Sequence, residues 1–163
     1  MISILVFAFS NESGADRMIA DMQSMQEKHF ITISDAATVI RKPDGMIKIK
    51  HINNLDGSSA LGGVFWGLLI GQVFFMPWLG LSIGASRDSL AGKFADYGIS
   101  NRFVKEVGTT IMPGQSALFL MVTSVIEDRV IEVLSRHKAT LLRTNLSSED
   151  EIILREAFGS TEV

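Results

Sequence analysis

The chain has 163 residues, a length that suits one domain, and it contains no cysteine. Hydrophobic residues make up 47% and charged residues 20%, which excludes a disordered chain, while the lack of thiols excludes disulfides, thiolate zinc sites and cysteine nucleophiles. Fifteen Lys and Arg against eighteen Asp and Glu give a net charge of -3, which argues against nucleic acid as a partner because such surfaces are normally basic.

The first part of the chain predicts a strand, a helix and two further strands. Residues 2–9 are apolar at odd and even positions, which is typical of a strand buried on both faces. Residues 11–29 carry apolar side chains at helical spacing. Residues 31–41 and 46–52 predict two strands, and residues 42–45 between them contain the Pro and Gly of a turn.

A glycine-rich apolar segment follows. Residues 57–86 contain no Asp, Glu, Lys, Arg or His. Glycines recur at every fourth position in its first half and again after Pro77, and this spacing places them on one helix face that a second helix can approach closely. We therefore predict a glycine-zipper helical hairpin that turns near Pro77. The predicted helix-packing and oligomerisation residues are Gly63, Gly67, Gly71, Gly80 and Gly84.

The same segment predicts contact with a membrane. About 20 apolar residues cross a bilayer, and Lys and Arg flank both ends of the segment, which favours a cytoplasmic location for both termini. The second arm is only about 14 Å long at 1.5 Å per residue, so three arrangements stay open: a spanning hairpin, a re-entrant hairpin, and a hairpin buried in a soluble oligomer. The predicted anchors at the interface of the inner, cytoplasmic membrane are Trp66, Trp78, Arg87 and Lys93.

A second strand–helix–strand unit follows the segment. Residues 116–124 are again apolar on both faces, residues 126–137 have helical spacing, and residues 139–146 predict a strand. Ser148 and Glu151 form a capping box that predicts a last helix. Two such units interleave into a ferredoxin-like α+β sandwich, in which the two doubly apolar strands are central.

The predicted domain organisation follows from this order of elements. Residues 1–56 and 109–163 together form the ferredoxin-like domain, residues 57–92 form the hairpin insert, and residues 93–108 form a short connecting helix. The sheet face opposite the two helices must then be covered by the insert or by another subunit.

No catalytic or metal site is predicted. His29, His51 and His137 lie far apart in the sequence, and none has a second ligand at helical or strand spacing. In residues 84–94, Arg87 stands where a phosphate-binding loop requires its first glycine, and Phe94 stands where it requires Ser or Thr. We expect no enzyme activity, no metal and no cofactor.

The order of the elements carries a family resemblance. A glycine-rich apolar hairpin, then DYGIS at residues 96–100 and PGQSALFLMV at residues 113–122, resembles the bacterial and archaeal domain-of-unknown-function family numbered 1269. The resemblance covers nearly the whole chain. It implies a membrane protein and supplies no catalytic residue.

Two functional hypotheses from different classes follow. The first is a non-enzymatic, membrane-associated homo-oligomer assembled through the glycine-zipper hairpin. In the alternative, the protein is a soluble oligomer that senses a ligand or forms a cage or pore, with the hairpin buried inside it. If the hairpin is the interface, we expect Gly67→Leu to lower the mass of the oligomer, and we expect Leu69→Ala, on another helix face, to do much less.

Overall fold

The computed structural model describes residues 2–52, 63–74 and 99–146, which contain five strands and four helices. The second arm of the hairpin and the helix after Ser148 lie outside these residues. The strands and helices predicted within residues 2–52 and 116–146 are present, with bounds that differ by a few residues. In chain order the elements are β1 (Ile2–Phe9), α1 (Gly14–Glu27), β2 (Ile31–Arg41), β3 (Ile47–Ile52), α2 (Gly63–Val73), α3 (Asn101–Thr110), β4 (Gln115–Val125), α4 (Glu127–His137) and β5 (Thr140–Leu146).

The five strands form one antiparallel sheet in the order β3-β2-β4-β1-β5. The prediction of an α+β protein is therefore confirmed. The strands β1 and β4 are direct neighbours, with Leu5 opposite Leu120 in their register. Residues of both strands are buried on both faces, as their unbroken apolar sequences predict.

Helices cover both faces of the sheet. The helices α1 and α4 lie on one face, where Met18, Met22 and Val133 pack against Phe7 and neighbouring side chains of the sheet. On the other face lie α2 and α3, which pack against alternate residues of the same strands. A strand that is apolar on both faces needs a packing layer on each side, and α2 provides part of the second layer from within the glycine-rich segment.

The helix α2 is 11 residues long. None of the helices in the described ranges has both the length and the apolar character required to cross a bilayer. Four side chains of α2, at the spacing i, i+3, i+4 and i+7, are buried against the sheet: Trp66, Leu69, Ile70 and Val73.

Two glycine turns at one end of the sheet fix where β2 ends. Gly45 and Gly114 have φ values of 93° and 87°, which a residue with a Cβ adopts only with strain. The backbone N–H of Gly114 donates to the carbonyl oxygen of Arg41 at 2.6 Å. This hydrogen bond joins the turn before β4 to the last residue of β2 and so helps to position Arg41.

Candidate functional site

A cavity of about 270 Å³ lies where the end of α2 meets α3 and the end of β2. Its walls are mostly apolar. Two of its lining residues, Lys105 and Thr109, are exposed, so the cavity opens to solvent on the α3 side. The lining residues among those that the structure describes are Arg41, Val73, Phe74, Lys105, Gly108 and Thr109.

Arg41 brings a positive charge to this cavity. Its guanidinium carbon lies 5.1 Å from the centre of the Phe74 ring, in a cation–π arrangement, and its Nη1 donates to the carbonyl oxygen of Ile111 at 2.6 Å. Its Nε is buried and has no hydrogen-bond partner among the described residues. Both contacts are to neutral groups, so within residues 2–52, 63–74 and 99–146 no carboxylate neutralises this cation.

Gly108 allows the two helices that border the cavity to touch. A Cβ built on Gly108 would lie 2.5 Å from the backbone oxygen of Val73, which is closer than any real Cβ contact. The backbone of α3 can therefore approach the end of α2 only because residue 108 has no side chain. Gly108 and Thr109 lie three and four residues after Lys105, so one face of α3 forms this wall.

A second polar site lies further along the same sheet face, beneath Trp66. Asp35 follows a β-bulge in β2 and is fully buried. Its Oδ1 accepts a hydrogen bond from the backbone N–H of Ala36 at 2.9 Å and lies 2.7 Å from Nε2 of His51. Burial raises the pKa of Asp35 above its ordinary value of 3.8, although His51, the Ala36 amide and the Trp66 indole all favour the ionised carboxylate.

Trp66 is a core residue in the described part of the chain. Its side chain is 0% exposed, and its ring meets the Phe119 ring edge-on with 6.2 Å between the centroids. Sequence reasoning had assigned Trp66 to a lipid interface, whereas here the indole packs against the sheet. The other three predicted anchors lie outside the described residues: Trp78, Arg87 and Lys93.

The predicted helix-packing glycines divide in the same way. Gly63, Gly67 and Gly71 lie in α2, where Gly67 is half-buried and Gly71 is buried. Gly80 and Gly84 lie outside the described residues. Among the glycines whose surroundings are described, Gly108 makes a close helix approach, and the sequence pattern did not single it out.

A family comparison adds one finding to this geometry. The model of the family described as "Protein of unknown function (DUF1269)" matches residues 60–159, more than half of the chain. The chain belongs to this family. The resemblance noted from the sequence is thus confirmed, and this DUF1269 protein has no match among curated proteins or solved structures.

The family match covers some of the residues that line the cavity but not all of them. It begins after β3, so Phe74, Lys105 and Gly108 lie inside the matched range, whereas Arg41 precedes it. Asp35 of the second polar site also precedes the matched range. The description of the family names no activity, so any function of this DUF1269 protein must be argued from its geometry.

The three histidines of the DUF1269 chain do not converge. His51 pairs with Asp35, His137 lies with Nε2 2.6 Å from Oδ2 of Asp21, and His29 follows α1 with a φ of 64°. Within the described residues, no three His, Cys, Asp or Glu side chains are placed to hold one metal ion.

A groove of about 220 Å³ lies on the opposite sheet face, between α1 and α4. It is lined by charged side chains of both signs, including Arg129 and Glu132, which form an ion pair at 3.5 Å, and Arg129 also lies 5.0 Å from the Phe30 ring centre. Because two carboxylates lie among the three cations in the described lining of this groove, it selects the charge of a ligand less clearly than the cavity beside Arg41 does.

Sequence reasoning missed the residues that define both polar sites. Asp35 had a signal, since a carboxylate within the apolar sequence of β2 must be buried or must interrupt the strand. No local sequence signal marks Arg41 or Lys105 as part of a site, because charged residues at the end of a strand or on a helix are normally solvated. Their proximity requires the folded sheet, α2 and α3 together.

Proposed function

We propose that this DUF1269 protein is a non-enzymatic, homo-oligomeric module that senses a small molecule. In this proposal the fold is ferredoxin-like, with β3 as an additional edge strand, and the first helix of the insert serves as a packing layer on the sheet. The strand order β3-β2-β4-β1-β5 and the two interleaved strand–helix–strand units support the fold.

The cavity beside Arg41 is the observation that carries the sensing function. Its walls come from β2, α2 and α3, so an occupant would contact both the sheet and the helix that belongs to the insert. Ligand pockets usually measure about 300–1,000 Å³, so a cavity of about 270 Å³ suits a small ligand. Occupancy would strengthen the contact of α2 with α3, and the insert would transmit this change to neighbouring subunits.

A thermal-unfolding screen with a cavity-filling variant tests the proposal. We expect some members of a panel of small molecules with about ten non-hydrogen atoms to stabilise the wild type, by about 2.7 kcal/mol at a concentration 100 times Kd. In Thr109→Trp, a side chain at the mouth of the cavity should abolish the effect. Arg102→Trp is the matched control, because Arg102 is exposed on α3 and does not line the cavity.

Two results would count against sensing at this cavity. The first is that no compound stabilises the wild type. The second is that every stabilising compound acts equally on Thr109→Trp.

Membrane association is the second candidate function. It is supported by the thirty residues without an ionisable side chain at positions 57–86, of which residues 63–74 are described as α2 and its end. In this proposal the remainder of the insert contacts the inner membrane, both termini are cytoplasmic, and Trp78, Arg87 and Lys93 lie at the interface. We expect such a protein to remain with membranes after a carbonate wash, and full release without detergent would contradict it.

A further inference from the structure

We propose that the cavity beside Arg41 binds a medium-chain monocarboxylate, with the carboxylate at Arg41 and Lys105 and the alkyl chain against Val73 and Phe74. This inference rests on the proposed sensing function and specifies its ligand class. It has three supports: no carboxylate of the described residues pairs with Arg41, the cavity walls are mostly apolar, and the cavity volume suits a small ligand.

The charge of Arg41 selects an anion. A guanidinium stays protonated in proteins, and a half-buried one without an opposite charge has an unfavourable free energy that a bound anion lowers. Arg41 is held in place by the carbonyl oxygen of Ile111 and by the ring of Phe74, so its remaining donors have a fixed direction. A planar carboxylate matches this planar donor group better than a spherical anion does.

Lys105 adds a second cation at the mouth of the cavity. It is exposed, it lines the cavity from α3, and it forms no ion pair with any described residue. Among the described residues, the two cations that line the cavity are thus Arg41 and Lys105, and the described lining contains no Asp or Glu. The site therefore attracts an anionic group and repels a cationic one.

The remaining walls select an apolar tail. Val73 and Phe74 supply apolar side chains, and Gly108 supplies bare backbone. A volume of about 270 Å³ at about 30 Å³ per water-sized group corresponds to about nine or ten non-hydrogen atoms. Octanoate has ten such atoms, so the cavity suits a carboxylate of about eight carbons, the carboxyl carbon included.

Isothermal titration calorimetry of the full chain with three probes tests this assignment. Octanoate carries both features, 1-octanol keeps the tail without the charge, and acetate keeps the charge without the tail. We expect octanoate to bind with one site per chain, and we expect the other two probes to bind at least about tenfold more weakly, a loss of about 1.4 kcal/mol each.

Two variants and one control test which residues bind the carboxylate of octanoate. Arg41→Met should weaken octanoate binding by about tenfold or more, and Lys105→Met should weaken it severalfold. Lys42→Met is the control, because Lys42 is the next residue, pairs with Glu12 at 3.3 Å and does not line the cavity. Circular dichroism monitors folding, and if Arg41→Met unfolds, the exposed Lys105→Met decides.

The outcomes separate this inference from the proposed function. If 1-octanol binds as tightly as octanoate, or if Lys105→Met and a folded Arg41→Met both keep wild-type affinity, the carboxylate assignment is overturned. If another compound class stabilises the wild type but not Thr109→Trp while octanoate fails to bind, the sensing function stands and only the ligand class is wrong. If no probe or panel compound binds, both proposals fail.

Discussion

Asp35 has the most unfavourable environment for a charge among the described acidic residues, because it is fully buried between β2 and α2. Desolvation raises its pKa despite the contact with His51. The folded protein thus holds the proton of Asp35 more tightly than the unfolded chain does. From pH 3.8 up to the raised pKa the folded state binds more protons, so this group lowers the stability as the pH rises through that window.

Asp35→Asn should remove this pH dependence, because an amide does not ionise. We expect the free energy of unfolding of the wild type, relative to that of Asp35→Asn, to decrease as the pH rises from 3.8. Urea unfolding at a series of pH values measures the difference, and Asp16→Asn serves as a control at an exposed carboxylate. A relative stability that increases with pH would show that the ionised Asp35 is the favoured form.

Gly108 is the second residue whose environment sets a strict requirement. An alanine there would gain about 1 kcal/mol of helix propensity, yet its Cβ would clash with a backbone atom that cannot rotate away. We expect Gly108→Ala to destabilise the protein by about 1–3 kcal/mol, as overpacking does. Arg102→Ala, at an exposed position of α3, should be nearly neutral, and equal stability of the two variants would refute the close contact.

At the scale of elements, α2 shows where sequence patterns lose their information. The helix has no charged residue, so no polar face distinguishes the side that packs on the sheet. The glycine spacing therefore predicts that the face of Gly67 is the packing face. In the structure the face of Leu69 and Ile70 packs against the sheet, and Gly67 is half-buried. The prediction that Leu69→Ala disturbs assembly much less than Gly67→Leu stays a prediction, and the burial of Leu69 adds an expected loss of stability.

Leu69→Ala should now destabilise the protein by about 2–5 kcal/mol, because Leu69 is fully buried in the core beneath α2. Gly67→Leu should leave the fold intact while lowering the mass of the oligomer, if assembly uses the glycine face. Thermal unfolding and light scattering measure the two effects. Wild-type stability of Leu69→Ala would contradict the docking of α2 on the sheet, and wild-type mass of Gly67→Leu would contradict assembly through this face.

For the whole molecule, the central strands could be predicted from the sequence, because a strand that is buried on both faces has a continuous run of apolar residues, as residues 2–9 do. The sequence also required a second layer on the sheet, and α2 and α3 provide it. The cavity could not be predicted from the sequence, because Arg41, Phe74 and Lys105 lie in segments that are distant in the chain. Local patterns specify elements, whereas a binding site depends on how those elements meet.

The first helix of the glycine-rich segment packs on the sheet of its own chain, and this packing can be measured directly. A Trp78→Phe variant leaves Trp66 as the only tryptophan, and its fluorescence reports directly on α2. In the presence of vesicles of brominated lipid, we expect blue-shifted emission that neither acrylamide nor bromine quenches appreciably, because Trp66 is fully buried against Phe119. Strong quenching of Trp66 by the brominated acyl chains would place α2 in lipid and would contradict its packing on the sheet.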